Sequence, residues 1–104
     1  MGDIGKYFPP NDEQWRNANS LILLSKVISL IRDEGWEINN LDNVIVAERP
    51  KIKPYVDLMK KNISNTLRID SSCIGIKATT NEKLGPEGRE EGISCHSVAL
   101  LVKK

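Results

Sequence analysis

Histidine occurs once in the 104 residues, cysteine twice, and aromatic side chains five times: two Trp, two Tyr and one Phe. With no second His or Cys at ligand spacing from His96, a zinc site made by this chain alone is not expected. Nor is there an excess of either charge: 15 basic residues against 14 acidic leave +1. That balance excludes a general nucleic-acid or membrane-surface binder, which would carry a basic surplus. No apolar run approaches the roughly 18 residues that cross a bilayer, and "MGDIGKYFPP" has neither the charged nor the apolar region of a secretory signal. A soluble, cytoplasmic protein is expected. Its length is that of one domain, with a core small enough to leave stability marginal or dependent on association.

Periodicity organises the remainder. Residues 1–18 read as irregular. "SLILLSKVISLIRDEG" reads as a helix, with Leu21, Leu24, Val27, Ile28 and Ile31 on one face, Asn19 or Ser20 as N-cap and Gly35 past its last turn. "NVIVA" is a short β-branched strand, and "PYVDLMKKNISNTL" a second helix with Pro54 in its first turn and Val56, Met59, Ile63 and Leu67 on one face. "CIGIKA" and "ISCHSVALLV" supply two more strands. The order α-β-α-β-β implies an α+β fold, helices packed on one face of a mixed sheet in a ferredoxin-like sandwich. An edge of that sheet lacks an obvious partner, so residues 1–104 are expected to be a single, incomplete domain.

If the last two strands form a hairpin, Thr79 lies near Ile93 and Cys73 opposite Ala99. Cys95 then sits on the order of 13 Å from Cys73, beyond the reach of about 7 Å between Cα atoms that a disulfide allows. Both are read as reduced, buried thiols, as in a cytosolic compartment.

Three stretches have chemistry to offer. "KATTNEKLGPEGREEG" separates two strands by far more than the two to five residues of an ordinary hairpin loop. Thr79 and Thr80 can donate to phosphate oxygens and Glu82 can hold a divalent cation bridging them. Glycines permit close backbone approach, and the Arg89 guanidinium suits bidentate anion contacts. A polar loop of solvated charges is the plainer reading. "AERPKIK" follows a strand, where α/β sheets place ligand crevices; Lys51 or Lys53 could meet a phosphate, or be an exposed lysine on a Pro-containing connection. "GDIGKYFPPND" sets Asp3 between glycines, able to accept from polyol hydroxyls or to make a local Asx-turn. His96 reads as a packed or interfacial residue, and Trp15 and Trp36 as packing residues.

Taken together, "GDIGKYFP", "NVIVAERPKIKPY", "IKATTNEKLGPEGREEGI" and "VALLV", in this order and spacing, resemble the methylerythritol cyclodiphosphate synthases of the non-mevalonate isoprenoid pathway. The resemblance covers essentially the whole chain. It implies a cytoplasmic homotrimer (or one in a plastid-type compartment, in a eukaryote) with active sites between subunits. It also implies a lyase reaction in which a phosphate on methylerythritol attacks the diphosphate of a cytidine-diphospho substrate, releasing CMP with the help of zinc and of magnesium or manganese. By the same resemblance Asp3, Ile4 and Gly5 hold the methylerythritol, with Phe8 to Asp12 beside them. Ala47, Pro50, Lys51, Ile52 and Lys53 form the cytidine pocket, Lys51 near the base. Ala78, Thr79, Thr80, Asn81 and Glu82 form the diphosphate site, Thr80 stabilising the transition state and Glu82 ligating magnesium or manganese. Pro86 lies on the substrate loop, and Arg89 near that loop and the three-fold axis.

The chain departs from the family pattern in places. The Asp-x-His and His-Ser-Asp segments that bind zinc in full-length members have no counterpart here. The sequence starts where the helix following them would end, as if an internal methionine were taken for the first. Pro10, Pro86, Glu87 and Glu90 replace more usual residues. These features set an active synthase completed by a missing segment against two alternatives. One is a non-catalytic remnant binding cytidine nucleotide or diphosphate, and the other a ferredoxin-like interaction module with an inert loop. The chain alone is expected to have no cyclase activity.

Overall fold

The computed structural model describes residues 2–9, 11–15 and 19–104, with only the backbone of Trp15. The reading of Pro10 and the packing role of Trp15 fall outside the described residues. The N-terminal stretch is less irregular than its composition suggests. A one-turn helix, α1 (Ile4–Tyr7), and a 3-10 turn at Glu13–Trp15 precede the long helix α2 (Ser20–Asp33). Asn19 caps α2 as expected, its side-chain oxygen accepting the Leu21 N–H at 2.8 Å. Gly35, at φ +86°, takes the left-handed position just past the helix and turns the chain into strand β1.

β1 runs over Trp36–Val46, much longer than the expected Asn43–Ala47. An irregularity between Ile38 and Asn40 shifts its register with the third strand. That bulge puts Ile38 and Leu41, three residues apart, into the same core, so the strict alternation that marks a strand in sequence is lost there. A 3-10 turn at Lys53–Tyr55, with Pro54 inside it, leads into α3 (Val56–Leu67). A second 3-10 turn (Ser71–Cys73) leads into β2 (Ile74–Thr79). A single turn, α4 (Gly85–Gly88), and β3 (Ser94–Lys103) complete the described order.

The sheet is mixed, in the order β2-β1-β3. β2 is parallel to β1, joined to it through α3 as a βαβ crossover requires, and β3 is antiparallel to β1 on its other side. The expected α+β class and mixed sheet hold. The expected hairpin between β2 and β3 does not form, because the two strands flank β1 instead of pairing. Thr79 and Ser94 both align with Val46, one on each side. The chain between them therefore spans two inter-strand spacings, roughly 10 Å, over the end of β1. A tight turn cannot do this, and the length of the loop follows.

Cys73 and Cys95 are unpaired thiols, as expected, but they are not buried: Cys73 is half-exposed and Cys95 exposed. The core is small. Ile28 of α2, Ile38 of β1 and Leu67 of α3 form its centre, with Leu24, Ile31, Leu41, Ile63 and Ile69 around them. Ile74 opens β2 in a buried position. On the opposite face of the sheet Val98, Leu100 and Val102 stand exposed along β3. Asn43 stitches the three strands together: its Nδ2 donates to the Gly75 carbonyl at 3.0 Å and its Oδ1 accepts from Ser97 Oγ at 2.6 Å.

Candidate nucleotide and diphosphate site

Because β1 and β2 are adjacent and parallel, their carboxyl ends emerge side by side, the place where open sheets form ligand crevices. The Ala47 N–H donates to the Thr79 carbonyl at 3.0 Å and so carries the pairing one step past the strand. Beyond that bond the two loops part around a pocket of about 190 Å³. Ala47, Glu48, Lys51, Ile52 and Lys53 line it from one side and Ala78, Thr79 and Thr80 from the other. Two stretches singled out separately in the sequence, "AERPKIK" and "ATT", thus face one another across a single cavity. Ala47 is buried in its floor, while Lys51, Lys53, Thr79 and Thr80 are exposed at its walls. Pro50, exposed, follows a cis peptide bond at Arg49 and lies outside the lining set.

The two threonines differ in what they can still donate. The Thr79 hydroxyl donates to the Thr80 carbonyl at 3.2 Å. The Thr80 hydroxyl accepts from the Glu82 N–H at 3.3 Å, which leaves its own proton available for a ligand oxygen. Glu82 (φ 52°) and Lys83 (φ 66°) are successive left-handed residues, a conformation that costs a side-chain-bearing residue about 1–2 kcal/mol. The corner is held by specific contacts. The Lys83 N–H donates to Glu48 Oε1 at 2.8 Å, and the Leu84 N–H to the Asn81 carbonyl at 2.9 Å. Gly88 packs directly on the Lys83 backbone, where any Cβ would overlap it. The Glu82 carboxylate is exposed and makes no hydrogen bond or ion pair among the described residues.

The loop is fastened at its far side by Glu87, a residue sequence reasoning noted only as a departure. Its Oε2 accepts from Ser94 Oγ at 2.6 Å and its Oε1 from Asn81 Nδ2 at 3.4 Å. The Ser94 hydroxyl above all, with His96 and Asn81 contributing less, holds the Glu87 carboxyl below the usual carboxylate range. Pro86 lies in the first turn of α4. Arg89 is not an open anion clamp: its Nε pairs with Glu91 Oε1 at 2.7 Å.

The N-terminal residues assigned to the same substrate lie elsewhere. Ile4 and Phe8, with Gly2 and Tyr7, line an apolar pocket of about 200 Å³ against Val27, Leu30 and Ile31, in the C-terminal half of α2. β1 begins where α2 ends and leads away from it to Ala47, so a strand length on the order of 30 Å separates the two ends. Asp3 stands at the N-cap position of α1 without capping it, and Gly5 lies within that turn. Asp12 accepts from the backbone N–H of Gln14 at 3.1 Å and from its Nε2 at 2.9 Å, a local turn. Within one copy of the chain Ala47, Lys51, Ile52 and Lys53 thus share a pocket with Ala78, Thr79 and Thr80, while Ile4 and Phe8 line a separate one.

The YgbB family model matches residues 1–102. The chain belongs to the YgbB family. A relative from Prochlorococcus marinus (strain MIT 9312), named 2-C-methyl-D-erythritol 2,4-cyclodiphosphate synthase, is 77% identical over all 104 residues, which span 62% of that relative. Among solved structures, the bifunctional IspDF of Campylobacter jejuni superposes with a TM-score of 0.93 at 41% identity, over 99% of this chain and 28% of that one. The Plasmodium falciparum IspF in its CDP complex gives 0.85 at 38% identity, over the whole of this chain and 62% of that one. The chain thus spans a little under two thirds of the curated relatives it matches. Among its described residues no helix is long and apolar enough to cross a membrane.

Proposed function

We propose that this chain supplies the nucleotide and diphosphate side of a 2-C-methyl-D-erythritol 2,4-cyclodiphosphate synthase. The convergence of Ala47–Lys53 and Ala78–Thr80 on one pocket at two parallel strand ends carries the proposal. The similarity to an IspF solved with CDP supports the same ligand class. In this reading the cytidine lies against the Ala47–Lys53 loop, with Lys51 near the base, and the diphosphate lies along Thr79–Glu82.

In the proposed reaction an oxygen of the 2-phosphate attacks the β-phosphorus, the new P–O bond closes the ring, and CMP leaves with the electron pair of the broken bond. The work asked of the protein is placement and charge stabilisation. Thr80 donates its hydroxyl proton to a non-bridging oxygen of the diphosphate, and Lys51 and Lys53 offset its charge. The exposed, unpaired Glu82 carboxylate fits a hard divalent cation shared with diphosphate oxygens. Such a cation, magnesium or manganese, would neutralise charge developing on the transferred group. Among the described residues no group of three or more His, Cys, Asp or Glu side chains stands ready for a metal ion. Asp3, Ile4, Gly5 and Phe8, far from this pocket in their own chain, meet it in a neighbouring subunit of a homotrimer, where they hold the methylerythritol.

Calorimetric titration of the purified chain with CDP in magnesium tests the nucleotide side. Binding in the micromolar to millimolar range is expected, and no heat at millimolar CDP would overturn the reading. CMP release from the true substrate, assayed on the chain alone and on a full-length relative, separates binding from turnover; release is expected only from the latter.

A further inference from the structure

We infer that Glu48 is a positioning residue: by accepting the Lys83 N–H it fixes the Glu82–Lys83 corner and so aims the Glu82 carboxylate at a cation carried on bound diphosphate. The inference rests on the nucleotide–diphosphate reading and extends it to a side chain that acts through another. Glu48 lines the pocket, and a carboxylate in the wall of an anion site is electrostatically of the wrong sign unless its charge is engaged. Here it is engaged by a backbone donor at 2.8 Å, on the opposite loop.

The corner it meets would not hold itself. Two consecutive left-handed residues, Glu82 and Lys83, both bear side chains. The N–H of the first is drawn to Thr80 Oγ1, and that of the second to Glu48. With these donors turned inward, the Glu82 carboxylate is left facing solvent without a protein partner among the described residues. Gly88 closes the other side of the Lys83 backbone, so the peptide is confined between a carboxylate and a glycine. Glu48 is also three residues from Lys51 on the same loop. The loop proposed to read the base and the corner proposed to hold the cation are therefore one mechanical unit. A second tie between them, Arg49 Nε to Glu90 Oε1 at 3.3 Å, is exposed at both ends and adds little.

The test uses the 15N-labelled chain, with Glu48→Ala and Glu48→Gln, and CDP titrations with and without magnesium. In the wild-type chain the Lys83 amide is expected to be protected from exchange. In Glu48→Ala that amide shifts upfield and exchanges at least tenfold faster, and the strengthening of CDP binding by magnesium falls about tenfold. Magnesium-free CDP affinity changes by a smaller factor than the magnesium enhancement does. Glu48→Gln keeps an acceptor oxygen and recovers most of the magnesium effect, which a loss of general stability would not do. An unprotected Lys83 amide in the wild-type chain overturns the inference without recourse to any variant. So does an undiminished magnesium effect in Glu48→Ala. Absence of CDP binding by the wild-type chain, with its Lys83 amide protected, overturns the nucleotide reading and the positioning role with it.

Discussion

The Arg32 guanidinium at the end of α2 is forked onto the Glu37 carboxylate of β1, Nη2 to Oε1 at 2.8 Å and Nε to Oε2 at 3.0 Å. The same Nη2 donates to the carbonyl of Leu67, the last residue of α3. One side chain thus joins both helices to the sheet. The hydrogen bonds from Arg32, against a smaller opposing effect of desolvation, hold the Glu37 carboxyl down at about 2, and the Ile38 N–H and Lys104 add to the lowering. Because this folded-state value lies below the ordinary 4.5, the stabilisation is complete above that ordinary value and is lost as pH falls through the folded one. Chemical denaturation between pH 6 and pH 2 is expected to show stability falling below about pH 4.5. Glu37→Gln should flatten the curve in that window; an unchanged slope in the variant would show that other carboxylates dominate.

Leu67 is fully buried, at 0% exposure, at the centre of the small core. Leu67→Ala should cost about 2–5 kcal/mol, a large part of the total for a domain of this size. Urea denaturation is expected to show either a midpoint displaced far to lower urea or no folded baseline. A shift equivalent to less than about 1 kcal/mol would mean that the site collapses around the missing volume.

Gly88 and Gly92 lie four residues apart in the segment between β2 and β3 and differ sharply in surroundings. A Cβ at Gly88 would overlap the Lys83 backbone, whereas one at Gly92 meets nothing within 4 Å. Gly88→Ala should destabilise by about 1–3 kcal/mol and speed amide exchange across residues 81–90. Gly92→Ala should stay within about 0.5 kcal/mol of wild type. Equal effects at the two positions would contradict the packing described.

Within the proposed site, Lys51→Ala should weaken CDP binding about tenfold, the scale of one hydrogen bond to a charged group. Glu82→Ala should spare CDP binding without metal and abolish its enhancement by magnesium. Isothermal titration of both variants checks this, and a Glu82→Ala chain that still responds to magnesium would remove that residue from the cation site.

Val98, 73% exposed, and Leu100 and Val102 two and four residues on, give β3 an apolar face turned away from the helices. Exposed apolar stripes of this kind mark association surfaces. Sedimentation velocity is expected to show the chain self-associating, with the proposed trimer as the main species. Val98→Lys combined with Leu100→Lys should move it towards monomer. A wild-type chain that sediments as a monomer at high concentration would count against the proposed assembly.

Both long helices were legible because their apolar residues recur at helical spacing and their ends carry Asn19, Gly35 and Pro54. β1 was half-legible. Its bulge spaces Ile38 and Leu41 three apart and surrounds them with Asn and Asp, which hides the strand. The pairing of β2 with β1 instead of β3 was invisible to local pattern, since each strand satisfies period two equally well in either order. The pocket-lining residues were legible through the family resemblance, and their spacing alone could as well have been a solvated loop. What remained hidden was long-range in the literal sense. The bond from Lys83 to Glu48 joins residues 35 apart, and the role of Glu87 depends on where β3 begins.

Every ladder in the sheet runs through Trp36–Val46, and its antiparallel neighbour arrives only after α3, β2 and the crossover have been traversed. Such distant pairings are slow to form, because chain closure must be met before any contact repays it. Helices α2 and α3 and the parallel pair are therefore expected to assemble early in refolding, with β3 docking last. The opposing walls of the pocket would exist before the segment that locks them, and the pocket would become rigid only in the final kinetic step.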